Sequence, residues 1–138
     1  MFLAWWRRWR LRGADLGRRG EAAAAEYLAG LGYKIIERAL RTRGGELDLV
    51  ALDGRTVVFV EVKTRRSDQR GSPSLAVDVR KQRRLTQGAL TYLKQHRLLN
   101  QPARFDVVAV VWPSADAPPQ ITHVRNAFQA RGAGGMFS

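Results

Sequence analysis

The Asp53-Gly54 dipeptide, flanked by two runs rich in Val, Leu and Phe, constrains the fold of this chain more than any other feature. Asp-Gly between alternating hydrophobic runs is the strongest short-range signal for a β-hairpin. With these two residues as the turn, the predicted cross-strand pairs are Leu52 with Arg55, Asp48 with Phe59, and Glu46 with Glu61.

This pairing also predicts which side chains share a face of the hairpin, since opposed residues and residues two apart point the same way. One predicted face is polar and carries Glu46, Asp48, Glu61 and Lys63. The other predicted face is apolar and carries Leu47, Leu49, Val58, Val60 and Val62. A symmetric four-residue loop would keep the same pairing, whereas a three-residue loop would break it.

The polar face predicts a metal site. On the diagonal, the Cβ atoms of Asp48 and Glu61 are expected about 7 Å apart, so both carboxylates can reach one cation. Two carboxylates this close repel each other unless a positive charge intervenes. Hard oxygen ligands select Mg²⁺ or Mn²⁺ rather than zinc.

Lys63 adds an ammonium group that can orient or deprotonate a water and neutralise charge on a phosphate. A metal ion and a lysine together provide the groups that catalyse phosphodiester hydrolysis. The alternative is an exposed strand end decorated with charges, because Glu-x-Lys recurs by chance in many strands. By spacing alone the two interpretations stay open.

The composition indicates one basic domain. The chain has 138 residues and a formal charge of +12, which favours nucleic acid as partner, then anionic lipid, then acidic protein. Simple solubility is the competing explanation. The absence of cysteine excludes disulfides and thiolate zinc sites. His96 and His123 are too few for a histidine-rich centre, and both are expected to be structural.

The chain starts with MFLAWWRRWRLR, in which three tryptophans alternate with arginines. This stretch has the composition of an interfacial anchor or a DNA-contacting arm, or it is a poorly ordered extension. Its apolar run is too short for a signal peptide and precedes the charges. No segment approaches the roughly 20 apolar residues of a membrane span, so a cytoplasmic protein is expected.

The pattern of residues predicts the order α-β-β-β-α-β-β. The first helix is expected from Gly17 with Gly32 as its C-terminal cap, and the second from Asp78 to Leu99. Five segments rich in Val, Ile and Phe predict the strands. The expected organisation is a flexible extension over 1–16, one domain over 17–128 and a loose tail over 129–138.

Basic residues flank the hairpin's exit and the start of the second helix. They are expected to contact DNA phosphates, although a solvated charged surface is the alternative. Lys81 lies four residues before Leu85 and is expected to face the site. The predicted DNA contacts are Arg65, Arg66, Arg70, Arg80, Lys81, Arg83 and Arg84.

The motifs GRRGEAAAAEYLAGLGYKIIER, RTRGGELDLVALDG and VVFVEVKTRRSDQRGSPSLAV, followed by KQRRL, RFDVVAV and ITHVRNAF, resemble the YraN family of bacterial proteins. That family is similar to archaeal Holliday junction resolvases and restriction-endonuclease-like PD-(D/E)xK nucleases. The resemblance implies a central mixed sheet flanked by helices, a metal-dependent DNA endonuclease and a branched substrate. It also implies a symmetric homodimer.

Carried over residue by residue, the resemblance implies roles for the charged side chains. Asp48 and Glu61 become metal ligands, and Lys63 becomes the catalytic lysine. Glu21, on the first helix, becomes an assisting ligand. Glu21 shares the inward face of Leu28, seven residues on, whereas Glu26 is expected at the surface.

Three further expectations follow from the resemblance. Glu46 belongs to the family motif, with a role either in supporting the metal or in holding an arginine. Ala39 departs from the family, in which an asparagine is expected, and this puts a local structural contact in doubt. A DNA-binding accessory protein that keeps the fold but cuts nothing is the alternative function.

Overall fold

The computed structural model describes residues 2–67, 75–114 and 116–132, with side chains from residue 15 onward. The predicted order of helices and strands is confirmed. The helices are α1 (Phe2–Gly30) and α2 (Val79–Gln95), and the strands are β1 (Lys34–Thr42), β2 (Gly45–Asp53), β3 (Thr56–Arg66), β4 (Ala103–Trp112) and β5 (Gln120–Phe128).

The five strands form one mixed sheet in the order β1-β2-β3-β4-β5. Strands β3 and β4 pair in parallel, and every other neighbouring pair is antiparallel. A parallel pair needs a long crossover connection, and α2 lies within it. The predicted α/β fold, a mixed sheet flanked by helices, is therefore confirmed.

Each face of the sheet packs against one helix. On one face, Ala24, Ala25 and Leu28 of α1 bury the strands in one apolar cluster. On the other face, Leu85, Ala89, Tyr92 and Leu93 of α2 contribute to a second cluster. The sheet is thus the middle of three layers, and polar side chains at its end can meet residues from both helices.

The C-terminal end of α1 could be predicted from the sequence, whereas that of α2 could not. Gly32 has a φ of 96° and Tyr33 N–H donates to Leu28 O, so the predicted glycine cap of α1 is confirmed. The second helix ends at Gln95, not Leu99, because Arg97 takes a left-handed φ of 57° and closes the same kind of cap. No glycine marks that position.

Helix α1 begins at Phe2, well before the predicted start at Gly17. The preceding residues contain no proline and include arginine and leucine, which favour helix, so nothing in them stops the helix. The domain limits at 17 and 128 remain predictions, and residues 133–138 of the predicted tail lie outside the described ranges. Among the described helices, none is both long and apolar enough to cross a bilayer.

The register of the β2-β3 hairpin differs from the prediction by two residues. Leu52 lies opposite Val57 and not Arg55, and Val50 replaces Asp48 opposite Phe59. The two-residue loop is Gly54-Arg55, closed by the Asp53 and Thr56 pair, with Gly54 at a φ of 59°. A II′ loop needs glycine at its first position, and the shifted register supplies it there.

A shift of two residues preserves the alternation of faces, so much of the predicted facing survives. Leu49, Val58 and Val60 are buried against α1, and Val62 packs on the same cluster, as predicted. Leu47 is the exception, since it packs into the cluster on the α2 side. Simple alternation along β2 therefore breaks between Leu47 and Leu49, at Asp48.

Ala39 lies next to this break and has a φ of 48°, in the left-handed region. The two flanking pairs, Arg38 with Leu49 and Leu40 with Leu47, place Ala39 across from Asp48. Left-handed backbone is unfavourable for alanine, whereas asparagine tolerates it. The asparagine that the family resemblance led us to expect thus suits the backbone at this position.

Replacing Ala39 with Asn is expected to raise the free energy of unfolding by about 0.5–1 kcal/mol, since Ala39 is exposed and only the backbone preference changes. Urea denaturation measures this change. The control is Ala22→Asn, at an exposed position of α1 where the backbone has right-handed helical conformation. Its free energy of unfolding is expected to fall by about 0.5 kcal/mol. Equal losses in both variants would contradict the prediction.

A buried polar network ties β4 to β5 and to Tyr33, in the connection between α1 and β1. Asp106 is fully buried and accepts hydrogen bonds from Arg104 Nε at 3.0 Å and Asn126 N–H at 3.0 Å. His123 Nε2 lies 2.8 Å from Asp106 Oδ2, and Arg104 also donates to Tyr33. His123 is therefore structural, as predicted, because its buried ring contacts the buried Asp106 within this network.

Candidate metal site

The site begins with a close contact between α1 and β3. Gly20 of α1 lies so near Thr64 that a Cβ atom at Gly20 would stand 1.8 Å from Thr64 Oγ1. Only glycine allows this approach. Because Glu21 follows Gly20 and Lys63 precedes Thr64, the contact brings the helix glutamate to the strand that carries the lysine.

A second close contact fixes the start of β2. The turn between β1 and β2 packs on α2, where a Cβ atom at Gly44 would stand 2.4 Å from Arg84 O. Thr42 Oγ1 donates to Gly45 O at 2.6 Å within the same turn. Glu46 directly follows this turn, so its backbone is anchored between the sheet and α2.

Three carboxylates converge between these two contacts. Glu21, Glu46 and Asp48 each offer an oxygen, and these oxygens all lie within 4.8 Å of one another. Glu21 and Asp48 are partly buried and Glu46 is exposed. The cluster therefore has one open side toward solvent, through which a cation or a phosphate can enter.

Asp48 occupies the point where β2 and β3 separate. The last backbone pair of the hairpin is Leu49 with Val60. Beyond it, Asp48 Oδ2 accepts a hydrogen bond from Val62 N–H at 2.8 Å. The carboxylate thus replaces a backbone carbonyl as the partner of a strand N–H, which fixes one oxygen and leaves the other for a ligand.

Burial and neighbouring carboxylates raise the pKa of two of the acidic side chains, Asp48 and Glu21. Burial, followed by the charge of Glu61, raises the pKa of Asp48 from 3.8 to about 7, and the charge of Glu21 adds to this. The Val62 hydrogen bond and Lys81 act against the rise. Burial also raises the pKa of Glu21, assisted by the charges of Glu46 and Glu61.

Glu61 lies outside the three-carboxylate cluster. Its partner comes from α2, which packs on the opposite face of the sheet from α1. Its side chain is only 7% exposed, and its Oε1 lies 2.6 Å from Lys81 Nζ of α2. Lys81 thus faces the site. Asp78 caps α2 and accepts from Lys81 N–H at 2.8 Å, so the residue that reaches Glu61 is itself fixed in the helix's first turn.

Lys63 lies on β3 two residues beyond Glu61 and is partly buried. Its Nζ donates to Ala76 O in the segment that leads into α2. Lys63 and Lys81 therefore both tie the start of α2 to the carboxylate-bearing strand. The role of Lys63 in catalysis remains a prediction.

The predicted DNA contacts lie around this site, with one outside the described ranges. Arg65 is partly buried and Arg66 is exposed at the end of β3. Arg80, Arg83 and Arg84 are exposed on the first turns of α2, whose Lys81 reaches the site. Arg70 falls in the undescribed segment 68–74.

The donor set fits a hard divalent cation. Carboxylate oxygens are what Mg²⁺ and Mn²⁺ prefer, and three of them converge within a few ångströms. Burial, followed by the charge of Glu61, raises the pKa of Asp48, and a bound cation would stabilise the ionised carboxylate against both effects. Glu21, Glu46 and Asp48 are the residues that would hold such an ion.

Comparison with known proteins decides the family. The model of the uncharacterised protein family UPF0102 matches residues 20–110, which include every carboxylate of the site. The chain belongs to this family. The predicted membership of the YraN family, which UPF0102 denotes, is confirmed.

Curated UPF0102 proteins resemble the chain over most of their length. A UPF0102 protein of Geobacter metallireducens is 50% identical over 119 residues, covering 86% of this chain and 96% of that protein. One from Geobacter sulfurreducens is 54% identical over 114 residues, covering 83% and 88%. One from Symbiobacterium thermophilum is 49% identical over 115 residues, covering 83% and 97%.

Sequence reasoning missed two features that position this UPF0102 site. The first is Gly20, although a lone glycine inside a helical stretch already indicates a packing constraint. The second is the approach of Glu46 to Glu21: the prediction placed Glu46 on the same face as Asp48 but set it opposite Glu61. In the structure Arg41 lies opposite Glu46, across the β1-β2 turn.

Proposed function

We propose that the protein is a divalent-metal-dependent DNA endonuclease that hydrolyses phosphodiester bonds, with branched DNA as its preferred substrate. The observation that carries the proposal is the convergence of Glu21, Glu46 and Asp48 beside a strand that also bears Glu61 and Lys63. The formal charge of +12 supports a polyanionic substrate.

Each side chain of the site has a proposed role that follows from its chemistry. Glu21, Glu46 and Asp48 would hold Mg²⁺ or Mn²⁺, which supplies Lewis-acid activation of a phosphate oxygen and of water. Asp48 is oriented by the Val62 N–H bond, which leaves its second oxygen for binding. Lys63 would orient the attacking water and stabilise charge on the phosphate.

Substrate positioning falls to the arginines around the site. Arg80, Arg83 and Arg84 are exposed on the first turns of the helix that contacts Glu61, so phosphates entering the open side of the site would meet them. Arg65 and Arg66 extend the same basic border along β3. Phosphate contacts of this kind favour recognition of DNA shape over sequence.

A second candidate function is a DNA-binding accessory protein that does not cut. One observation favours it: Lys63 Nζ donates to Ala76 O and Glu61 pairs with Lys81, so both side chains have partners outside the three-carboxylate cluster. A protein of this kind would keep the fold and charge without turnover.

Cleavage of labelled DNA separates the two candidates. The purified protein is incubated with linear, nicked, flapped and four-way-branched DNA, with Mg²⁺ or Mn²⁺, beside the Asp48→Ala, Lys63→Ala double variant. We expect metal-dependent cleavage that favours branched DNA and falls by about 100-fold or more in the variant. DNA binding without cleavage by either protein would support the accessory function.

A further inference from the structure

The carboxylates of the site outnumber the charge that a single ion can neutralise. Glu21, Glu46 and Asp48 form one cluster, while Glu61 influences the pKa of both Asp48 and Glu21. Fully ionised, the four groups carry four negative charges, of which one divalent ion balances two. The other two must be balanced by side-chain ammonium groups or by a second divalent ion.

Lys81 stands where such a second cation would be expected. Its Nζ lies 2.6 Å from Glu61 Oε1, and the Glu61 side chain is almost fully buried. A buried carboxylate without a counter-charge is strongly unfavourable, and Lys81 supplies the counter-charge that the buried Glu61 needs. The Lys81 side chain is 43% exposed, so its own desolvation is small.

The backbone of α2 keeps this lysine in place. Asp78 accepts from Lys81 N–H at 2.8 Å, and Lys63 Nζ holds Ala76 O just before the helix. On the far side, Gly88 packs so closely that a Cβ atom there would stand 2.6 Å from Thr42 Oγ1. The Lys81 side chain thus extends from a helix whose backbone is packed against the sheet.

We propose that Lys81 serves as the counter-charge of Glu61 and thereby limits the site to one divalent cation, held by Glu21, Glu46 and Asp48. This inference rests on the metal dependence proposed above. Lys81 is then a positioning residue that sets cation stoichiometry. Without it, Glu61 and Asp48 would be left to recruit a second ion between them.

Titration of the full-length protein with Mn²⁺, with free Mn²⁺ followed by electron paramagnetic resonance, counts the bound ions. We expect one ion in the wild-type protein and two in Lys81→Gln, the second with a Kd about tenfold higher or more. Lys81→Arg should restore one ion. Arg83→Gln removes a positive charge from the exposed surface of the same helix and should also bind one.

A second variant tests the inference even if Lys81→Gln fails to fold. Glu61→Gln should still bind one Mn²⁺, because Glu61 is not among the three converging ligands. Loss of that ion, two ions in the wild-type protein, or one ion in a folded Lys81→Gln would each overturn the proposal. Melting curves without metal establish that each variant is folded.

The outcomes also separate this inference from the proposed function. One bound Mn²⁺ without cleavage of any DNA would contradict the nuclease and leave the stoichiometry assigned to Lys81 intact. No binding of Mn²⁺ to the wild-type protein would contradict both. Cleavage accompanied by two ions in the wild-type protein would contradict the inference alone.

Discussion

Replacing Asp48 with Asn is expected to raise the free energy of unfolding of the metal-free protein at pH 8 by about 4 kcal/mol, and to abolish divalent metal binding. The stabilisation arises because the wild-type protein must keep a charged carboxylate in a partly buried site beside Glu61 and Glu21. Asparagine removes the charge, and its amide oxygen can still accept from Val62 N–H.

The sign follows from proton binding in the two states. The pKa of Asp48 is about 7 in the folded protein and 3.8 is its ordinary value, so between these pH values the folded state binds more protons than the unfolded state. Stability contributed by this group is therefore greatest below pH 3.8 and is lost as the pH rises toward 7. The advantage of Asp48→Asn must grow over the same window.

Urea denaturation with a chelator from pH 4 to pH 8 measures this difference. Glu26→Gln, at an exposed site on α1, is the control and should change stability by less than about 0.5 kcal/mol at every pH. A stability difference for Asp48→Asn that stays constant with pH would contradict the argument. Saturating Mn²⁺ should narrow the difference at pH 8, because the ion stabilises only the wild-type folded state.

The part of this site that could be predicted from sequence is the part set by local periodicity. Val, Leu and Phe runs fixed the strands, and the two-residue period kept Leu49, Val58 and Val60 on one face even though the hairpin register was wrong by two residues. The helical period likewise brought Glu21 inward and left Glu26 exposed. A register error of two residues leaves side chains on the same face of the sheet, so a prediction of faces from periodicity survives it.

The remaining features depend on tertiary packing, which no local pattern encodes. The separation of β2 from β3 beyond Leu49 and Val60 lets Asp48 reach Val62 N–H, and it breaks the alternation at Leu47. The Glu61 to Lys81 pair joins residues 20 apart on two different elements. Positive φ at Ala39 and Arg97 could not be read from residue types that rarely adopt it.

Replacing Gly20 with Ala is expected to lower the free energy of unfolding by about 3 kcal/mol, because α1 must move away from β3. The added Cβ would stand 1.8 Å from Thr64 Oγ1 and 2.8 Å from Thr64 Cβ. Rotation of the Thr64 side chain moves Oγ1 but leaves Cβ in place. The clash can therefore be relieved only by a shift of the backbone.

The same substitution is expected to weaken Mn²⁺ binding, since moving α1 withdraws Glu21 from Glu46 and Asp48. Urea denaturation and Mn²⁺ titration measure the two effects on one sample. Gly17→Ala is the matched control: a Cβ there meets nothing within 4 Å, so stability should rise by about 0.5–1 kcal/mol with Mn²⁺ affinity unchanged. Wild-type stability and affinity in Gly20→Ala would show that close packing of α1 on Thr64 does not position Glu21.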